Sequence, residues 1–134
     1  MPPGGWFIDA DVLGLYHVLH AARRSSTDDV VSGLTADFPV TPGMPDVDWM
    51  PIVSGRDLGI ITKDGRQRFR EAERQAIIDN ELGVFALRSR QHMSTWQQAR
   101  LVFDKWEGLE ERWSETTPPF VYTLSRGGGF KRML

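Results

Sequence analysis

Short apolar runs alternate with segments of helical character along this chain, and this alternation restricts its fold more than any other feature. Four runs have the length and composition of buried strands, at residues 6–8, 58–62, 83–87 and 120–124. Helical spacing or helix-start signals occur around them, at residues 13–24, 46–51, 66–80 and 94–113. Strands that alternate with helices are typical of a parallel sheet covered on both faces. The sequence therefore predicts a three-layer α/β fold with a central parallel sheet of four to five strands.

The remaining segments carry weaker signals. Residues 25–45 are rich in loop-forming residues, although Val30-Val31 is predicted to form a short strand within them. Ser94 to Gln97 has the pattern of a capping box and predicts the start of one long helix. The apolar stripe of that helix is predicted to face the core, and it consists of Trp96, Ala99, Phe103, Trp106, Leu109 and Trp113. The whole chain, 1–134, is predicted to be one domain, with residues 127–134 as a flexible basic tail.

Composition excludes several kinds of site. The chain has no Cys, which excludes disulfides, thiolate metal sites and a cysteine nucleophile. Its net charge of −2 argues against strong non-specific binding to nucleic acid, so any such binding is expected to be local and through a metal. No apolar stretch is long enough to cross a bilayer, and Met1 to Trp6 lack the pattern of a signal peptide. We therefore expect a cytoplasmic protein without a membrane partner.

Acidic side chains follow two of the predicted strands. Asp9 and Asp11 come after the first strand and Asp64 after the run at 58–62, while Asp46 and Asp48 open a short helix. Ligands of open α/β sheets gather at the carboxyl ends of the strands, and carboxylates that converge there repel one another unless a cation lies between them. Oxygen ligands favour Mg²⁺ or Mn²⁺, which activate water for attack on a phosphodiester. For any single acid, a helix-capping or loop-capping role remains an equal alternative.

These residues resemble the motifs of PIN-domain ribonucleases, and most closely the PIN-like toxin group, the VapC-type toxins of toxin–antitoxin pairs. The similarity covers nearly the whole chain and is carried by Phe7-Ile8-Asp9-Ala10-Asp11, by an Asp-x-x-Trp-hydrophobic-Pro segment at Asp46 to Pro51, by Ile61-Thr62-Lys63-Asp64 and by the closing Pro118-Pro119-Phe120-Val121-Tyr122. The resemblance implies a PIN-like fold, RNA cleavage that depends on Mg²⁺ or Mn²⁺, and a partner antitoxin protein.

The resemblance also implies roles for individual acids. Asp9, Asp46 and Asp64 match the catalytic, metal-binding acids of the family. Asp48 is a near neighbour of Asp46 and an alternative ligand, and Asp11 stands where many relatives carry Asn or Ser, as a further ligand or a polar cap.

Three more residues belong to the predicted site on the substrate side. The resemblance implies that the hydroxyl of Thr62 orients Asp64 or its water, and the position of Lys63 and Arg66 next to the acids predicts that they hold RNA phosphates. A solvated helix face is the alternative for the two basic residues. For Trp49 a core position is favoured over a contact with substrate.

Two other functions remain open at this stage. The loop after the 83–87 strand has no acid, since it reads Ser89-Arg90-Gln91-His92, and a PIN-like binding module with reduced catalysis is therefore one alternative. Asp9-x-Asp11 after an apolar strand also resembles the start of haloacid-dehalogenase phosphatases, but those enzymes separate their later Lys from an acidic pair, whereas Lys63 and Asp64 are adjacent here. A homodimer through the helix at 13–24 or at 66–80 is also considered.

Overall fold

The sheet that the sequence predicts is present in the computed structural model, which describes residues 2–63 and 71–134. The strands of this part of the chain are β1 (Gly5–Ile8), β2 (Asp29–Val31), β3 (Leu58–Lys63), β4 (Gly83–Leu87), β5 (Phe120–Ser125) and β6 (Gly129–Arg132). They form one sheet in the order β2-β1-β3-β4-β5-β6, in which the first five strands are parallel and β6 is antiparallel to β5. The predicted short strand at Val30-Val31 is confirmed as β2.

Helices cover both faces of the sheet and complete the three layers. They are α1 (Leu13–Ala22), α2 (Asp46–Val53), α3 (Glu71–Asp79), α4 (Thr95–Asp104) and α5 (Trp106–Glu115), with a 3-10 turn at Ala10–Val12 before α1. Side chains alternate across β1, so that Trp6 and Ile8 pack with residues of α1, α4 and α5, while Phe7 packs with residues of α2 and α3. Two separate cores therefore hold the sheet between its helices. In the described residues no helix has the length and apolar character that crossing a membrane requires.

The predicted long helix after residue 94 is two helices. The capping box is confirmed, because the Ser94 hydroxyl accepts from the Gln97 N–H while the Gln97 side chain accepts from the Ser94 N–H. The helix is interrupted at Lys105, which ends α4 and precedes α5. The predicted stripe is confirmed at Ala99, which is buried, and wrong at Trp96 and Phe103, which are 75% and 45% exposed. Leu101 and Val102 occupy the core-facing side of α4 in their place.

The end of the chain also differs from the prediction. Residues 127–134 were expected to be a flexible basic tail, but Gly129–Arg132 form β6 and pair with Tyr122 to Ser125 of β5. Phe130 supplies the physical reason, because its ring packs against the aromatic cluster around Phe85 and lies under the guanidinium of Arg112.

Candidate functional site

The acidic pair of Asp9 and Asp11 lies where β1 ends and the chain turns into helix. The N–H of Asp9 donates to the carbonyl of Ile61 at 3.0 Å and so extends the pairing between β1 and β3. One residue later the chain leaves the sheet, and the Asp9 Oδ1 accepts from the Ala10 N–H at 2.7 Å as the cap of the 3-10 turn. The turn then brings Asp11 back toward the end of β3. Both carboxylates therefore lie at the carboxyl edge of the sheet, as the sequence predicts.

The hydroxyl of Thr62 joins these two acids. Thr62 lies on β3 beside β1, and its Oγ1 donates to the Asp9 Oδ2 at 2.8 Å. The two oxygens of Asp11 lie 3.3 and 3.2 Å from the same Oγ1. A hydroxyl has one proton, and the shorter distance assigns it to Asp9. Asp11 therefore needs a proton of its own, or a cation beside it, to make a favourable contact with Thr62.

The electrostatics of the pair agree with its geometry. Burial raises the pKa of Asp9, the Thr62 hydrogen bond opposes this rise, and the negative charges of Asp46 and then Glu73 add to it. Burial of the carboxyl group and then the charge of Asp9 raise the pKa of Asp11 to about 7, against the hydrogen bond from the Lys63 N–H at 3.3 Å. Asp9 itself is 8% exposed. The site therefore contains more negative charge than its hydrogen bonds stabilise.

Asp46 is held in place by the tryptophan of its own helix. It is the first residue of α2, and its Oδ1 accepts from the indole Nε1 of Trp49 at 2.9 Å. The Trp49 ring is buried and lies against Phe7 with the ring centroids 4.6 Å apart, which confirms its predicted core position. The charge of Asp46 acts on both Asp9 and Asp11. Asp48 differs, because its side chain is exposed and forms no hydrogen bond or ion pair within residues 2–63 and 71–134.

Glu73 was not among the predicted site residues. It lies in the first turn of α3, is half-buried, and its charge contributes to the raised pKa of Asp9. The available signal was its place in the first turn of the helix that follows β3, since such a turn starts near the carboxyl edge of the sheet. Glu73 thus becomes the fourth acid of the described site, with Asp9, Asp11 and Asp46, although the loop after β4 has none.

The remaining predicted residues fall in two groups. Lys63 ends β3 beside Asp11, and its ammonium has no hydrogen-bond or ion-pair partner in the part of the chain that the structure describes. Asp64 and Arg66 lie outside the described residues. The Thr62 hydroxyl, which was expected to orient Asp64 or its water, bonds Asp9.

The donor chemistry of the site suits a hard divalent cation. Carboxylate oxygens of Asp9, Asp11 and Asp46 are the ligand type that Mg²⁺ and Mn²⁺ prefer, and a cation there would offset the repulsion that raises the pKa values of Asp9 and Asp11. Among residues 2–63 and 71–134, no group of three or more acidic or histidine side chains is arranged closely enough to hold a metal ion. The described acids therefore fit a metal by the chemistry and charge of their donor atoms, while their spacing within these ranges does not by itself form a metal site.

The sequence model of the PIN-like domain matches residues 6–89, which is more than half of the chain. The chain belongs to the PIN-like domain family. The matched region includes β1, α2 and β3, and with them every acid and basic residue of the predicted site. Members of this family are generally nucleases. No curated protein and no solved structure matches the chain.

Proposed function

We propose that this PIN-like domain is a metal-dependent ribonuclease that hydrolyses phosphodiester bonds within RNA. The observation that carries the proposal is the contact of Asp9 and Asp11 through the Thr62 hydroxyl, with the charge of Asp46 acting on both. Structural caps need no such convergence, because each would satisfy its own backbone N–H. Excess negative charge at one sheet edge is what a cation-binding site requires.

Each residue has a defined part in this proposal. Asp9, Asp46 and Asp64 would hold Mg²⁺ or Mn²⁺, with Asp11 and Asp48 as further ligands. The ion supplies activation of a water molecule and neutralises charge on the phosphate. Thr62 fixes the orientation of the Asp9 carboxylate, and the Trp49 indole does the same for Asp46. Lys63 and Arg66 would bind phosphates of the RNA beside the acids.

The experiment is cleavage of a structured RNA by the purified chain. Cleavage is expected with Mn²⁺ or Mg²⁺, and it should stop on addition of EDTA and in Asp9→Asn. Asp104→Asn is the matched control, since it removes one exposed carboxylate from the end of α4. Cleavage that persists in EDTA or in Asp9→Asn would refute the metal-dependent mechanism. RNA binding without cleavage by the wild-type chain would instead favour the binding module with reduced catalysis.

The proposal extends to a toxin that acts in the cytoplasm and is neutralised by a partner antitoxin. It is supported by the Asp46 to Pro51 segment, the motif that resembles the toxin group. Within this segment the Trp49 indole donates a hydrogen bond to Asp46, so the two motif residues act together. Induced expression should arrest growth of a bacterial host, and Asp64→Asn should relieve the arrest. Equal growth of cells expressing either form would contradict the toxin role without deciding the nuclease activity.

A further inference from the structure

Trp96 is exposed in a way that the fold does not require. Its side chain is 75% exposed in the first turn of α4, whereas the other large aromatic residues of the described chain are mostly buried or half-buried. Exposure of a tryptophan gives up the favourable burial of a large apolar surface. The neighbouring residues Gln97 and Arg100 are exposed and polar. Trp96 is therefore a single aromatic ring in a polar surrounding.

The first turn of α4 lies at the same edge of the sheet as the acids. β4 ends at Leu87, and the Arg88 N–H still donates to the carbonyl of Leu124 on β5 at 2.9 Å, so residues 88–94 start at the carboxyl edge. The start of α4 then meets the start of α1, because a Cβ on Gly14 would collide with the Thr95 side chain. Gly14 lies three residues after Asp11. Thr95, which precedes Trp96, thus contacts α1, the helix that begins two residues after Asp11.

The stretch of chain that contains Trp96 has a local charge opposite to that of the whole chain. Residues 82–103 contain no Asp or Glu, whereas the chain as a whole has a net charge of −2. Arg88, Arg90 and Arg100 lie in this stretch, and all three side chains are exposed. Within the described ranges none of the three guanidinium groups forms a hydrogen bond or an ion pair. The segment from the end of β4 through α4, which contains Trp96, therefore suits a polyanion with flat apolar groups.

We propose that Trp96 stacks on a nucleobase of single-stranded RNA, while Arg88, Arg90 and Arg100 contact its phosphates. Stacking on an exposed aromatic ring beside basic side chains is a general mode of single-strand binding. The inference rests on the proposed function, and it identifies the RNA as single-stranded where it leaves the acidic site. A base that is stacked and paired within a duplex would not offer its face to the indole.

A protein partner fits this surface less well. Such interfaces use a continuous apolar patch, and the only other large apolar side chain exposed on α4 among the described residues is Phe103. Phe103 lies seven residues further along, roughly 10 Å away at the rise of an α-helix, and Arg100 lies between the two rings. Two rings separated by a cation form two small patches, and only Trp96 is at the acidic edge.

The test is binding of a fluorescently labelled single-stranded RNA of about ten nucleotides, followed by anisotropy with EDTA present so that no metal-dependent cleavage occurs. Trp96→Ala should weaken binding about 10-fold, since it removes the aromatic face on which one base would stack. Trp96→Phe should retain most of the affinity, because it keeps an aromatic face. Phe103→Ala is the matched control on the same helix, and it should change the affinity less than about 2-fold.

Three results would overturn the inference. The first is no RNA binding by the wild-type chain, and the second is an equal loss in Trp96→Ala and Phe103→Ala. The third is a lower oligomeric mass of Trp96→Ala in light scattering, which would assign the ring to a contact between copies of the chain. The two proposals can fail separately. If the wild-type chain cleaves RNA and Trp96→Ala does not change the RNA affinity, the stacking role is refuted and the nuclease proposal stands. Conversely, Trp96-dependent binding without metal-dependent cleavage refutes the nuclease alone.

Discussion

Replacement of Thr62 by Val removes the hydroxyl between the two acids while keeping the shape of the side chain. Thr62 is 6% exposed and Asp9 8% exposed, so water does not readily replace the lost donor. The contact of 2.8 Å between Thr62 Oγ1 and Asp9 Oδ2 has the length of a hydrogen bond between neutral or charged oxygens. A hydrogen bond to a charged group contributes about 1.5–3 kcal/mol, and one between neutral groups about 1 kcal/mol. We expect Thr62→Val to cost about 1.5–3 kcal/mol of unfolding free energy when Asp9 is ionised.

The cost should depend on pH with a defined sign. Burial already raises the pKa of Asp9, and loss of the Thr62 donor raises it further. A carboxyl group whose pKa is raised by folding stabilises the folded state below its unfolded pKa, and this contribution is lost as pH rises through the folded pKa. Thr62→Val should therefore be more destabilising, relative to the wild type, at pH 8 than at pH 4. The difference should approach about 1–2 kcal/mol, the gap between a charged and a neutral hydrogen bond.

Urea unfolding of wild type and variants at the two pH values measures these differences. Thr62→Ser keeps the hydroxyl and should lose only the contribution of a buried methyl group, about 1 kcal/mol, equally at both pH values. Thr123→Val is the matched control, because Thr123 is buried on β5 and its hydroxyl contacts the Lys131 carbonyl at 3.5 Å and, among residues 2–63 and 71–134, no carboxylate. A cost of Thr62→Val that is the same at pH 4 and pH 8, or the same in an Asp9→Asn background, would refute the reasoning.

Three further predictions concern the same acids. Desolvation and the charge of Asp9 raise the pKa of Asp11 from 3.8 to about 7, so between these values the folded state binds more protons and the unfolding free energy should fall as pH rises. Asp11→Asn should flatten that slope in urea unfolding, and an unchanged slope would contradict the assignment; the effect is reduced by solvent screening, because the residue as a whole is exposed although its carboxyl group is partly desolvated. Without metal, Asp9→Asn should melt at or above the wild type, because it removes one of the repelling charges. Mn²⁺ should stabilise the wild type, by about 2.7 kcal/mol at a hundredfold excess over Kd, and should stabilise Asp9→Asn much less; a destabilised variant with no Mn²⁺ response in either protein would contradict the metal site. Trp49→Phe should keep the contact with Phe7 but free the Asp46 carboxylate, so RNA cleavage should fall more than stability does, and equal cleavage by both proteins would exclude a positioning role for the indole.

The strands were predictable because their signal is local. A buried parallel strand needs a short continuous apolar run, and the runs before Asp9 and at 58–62 and 83–87 have that form. The strand β6 lacked it, because Gly129–Arg132 is short, half basic and joined to β5 by a glycine turn. Its position depends on the packing of Phe130 against residues distant in sequence.

The phase of α4 was not predictable for a related physical reason. The residues from Trp96 to Phe103 contain two apolar stripes, one through Trp96 and Phe103 and one through Leu101 and Val102. Only the packing of α4 against α1 decides which stripe is buried, and that packing buries the aliphatic one. The position of Glu73 relative to Asp9 likewise depends on how α3 lies against the sheet. Spacing in the sequence carries neither fact.

Trp49 shows that core packing and site geometry need not be alternatives. The sequence favoured a core position for this residue, and the resemblance placed it in a motif with Asp46. Residues three apart on a helix are neighbours, so the buried ring of Trp49 has its N–H beside the first residue of α2. Burial against Phe7 fixes the ring, and the fixed ring fixes the carboxylate whose charge acts on Asp9. Trp49 therefore has to meet two requirements, packing against Phe7 and donating a hydrogen bond to Asp46. Trp49→Phe separates them, because Phe can pack in the core but has no N–H to donate.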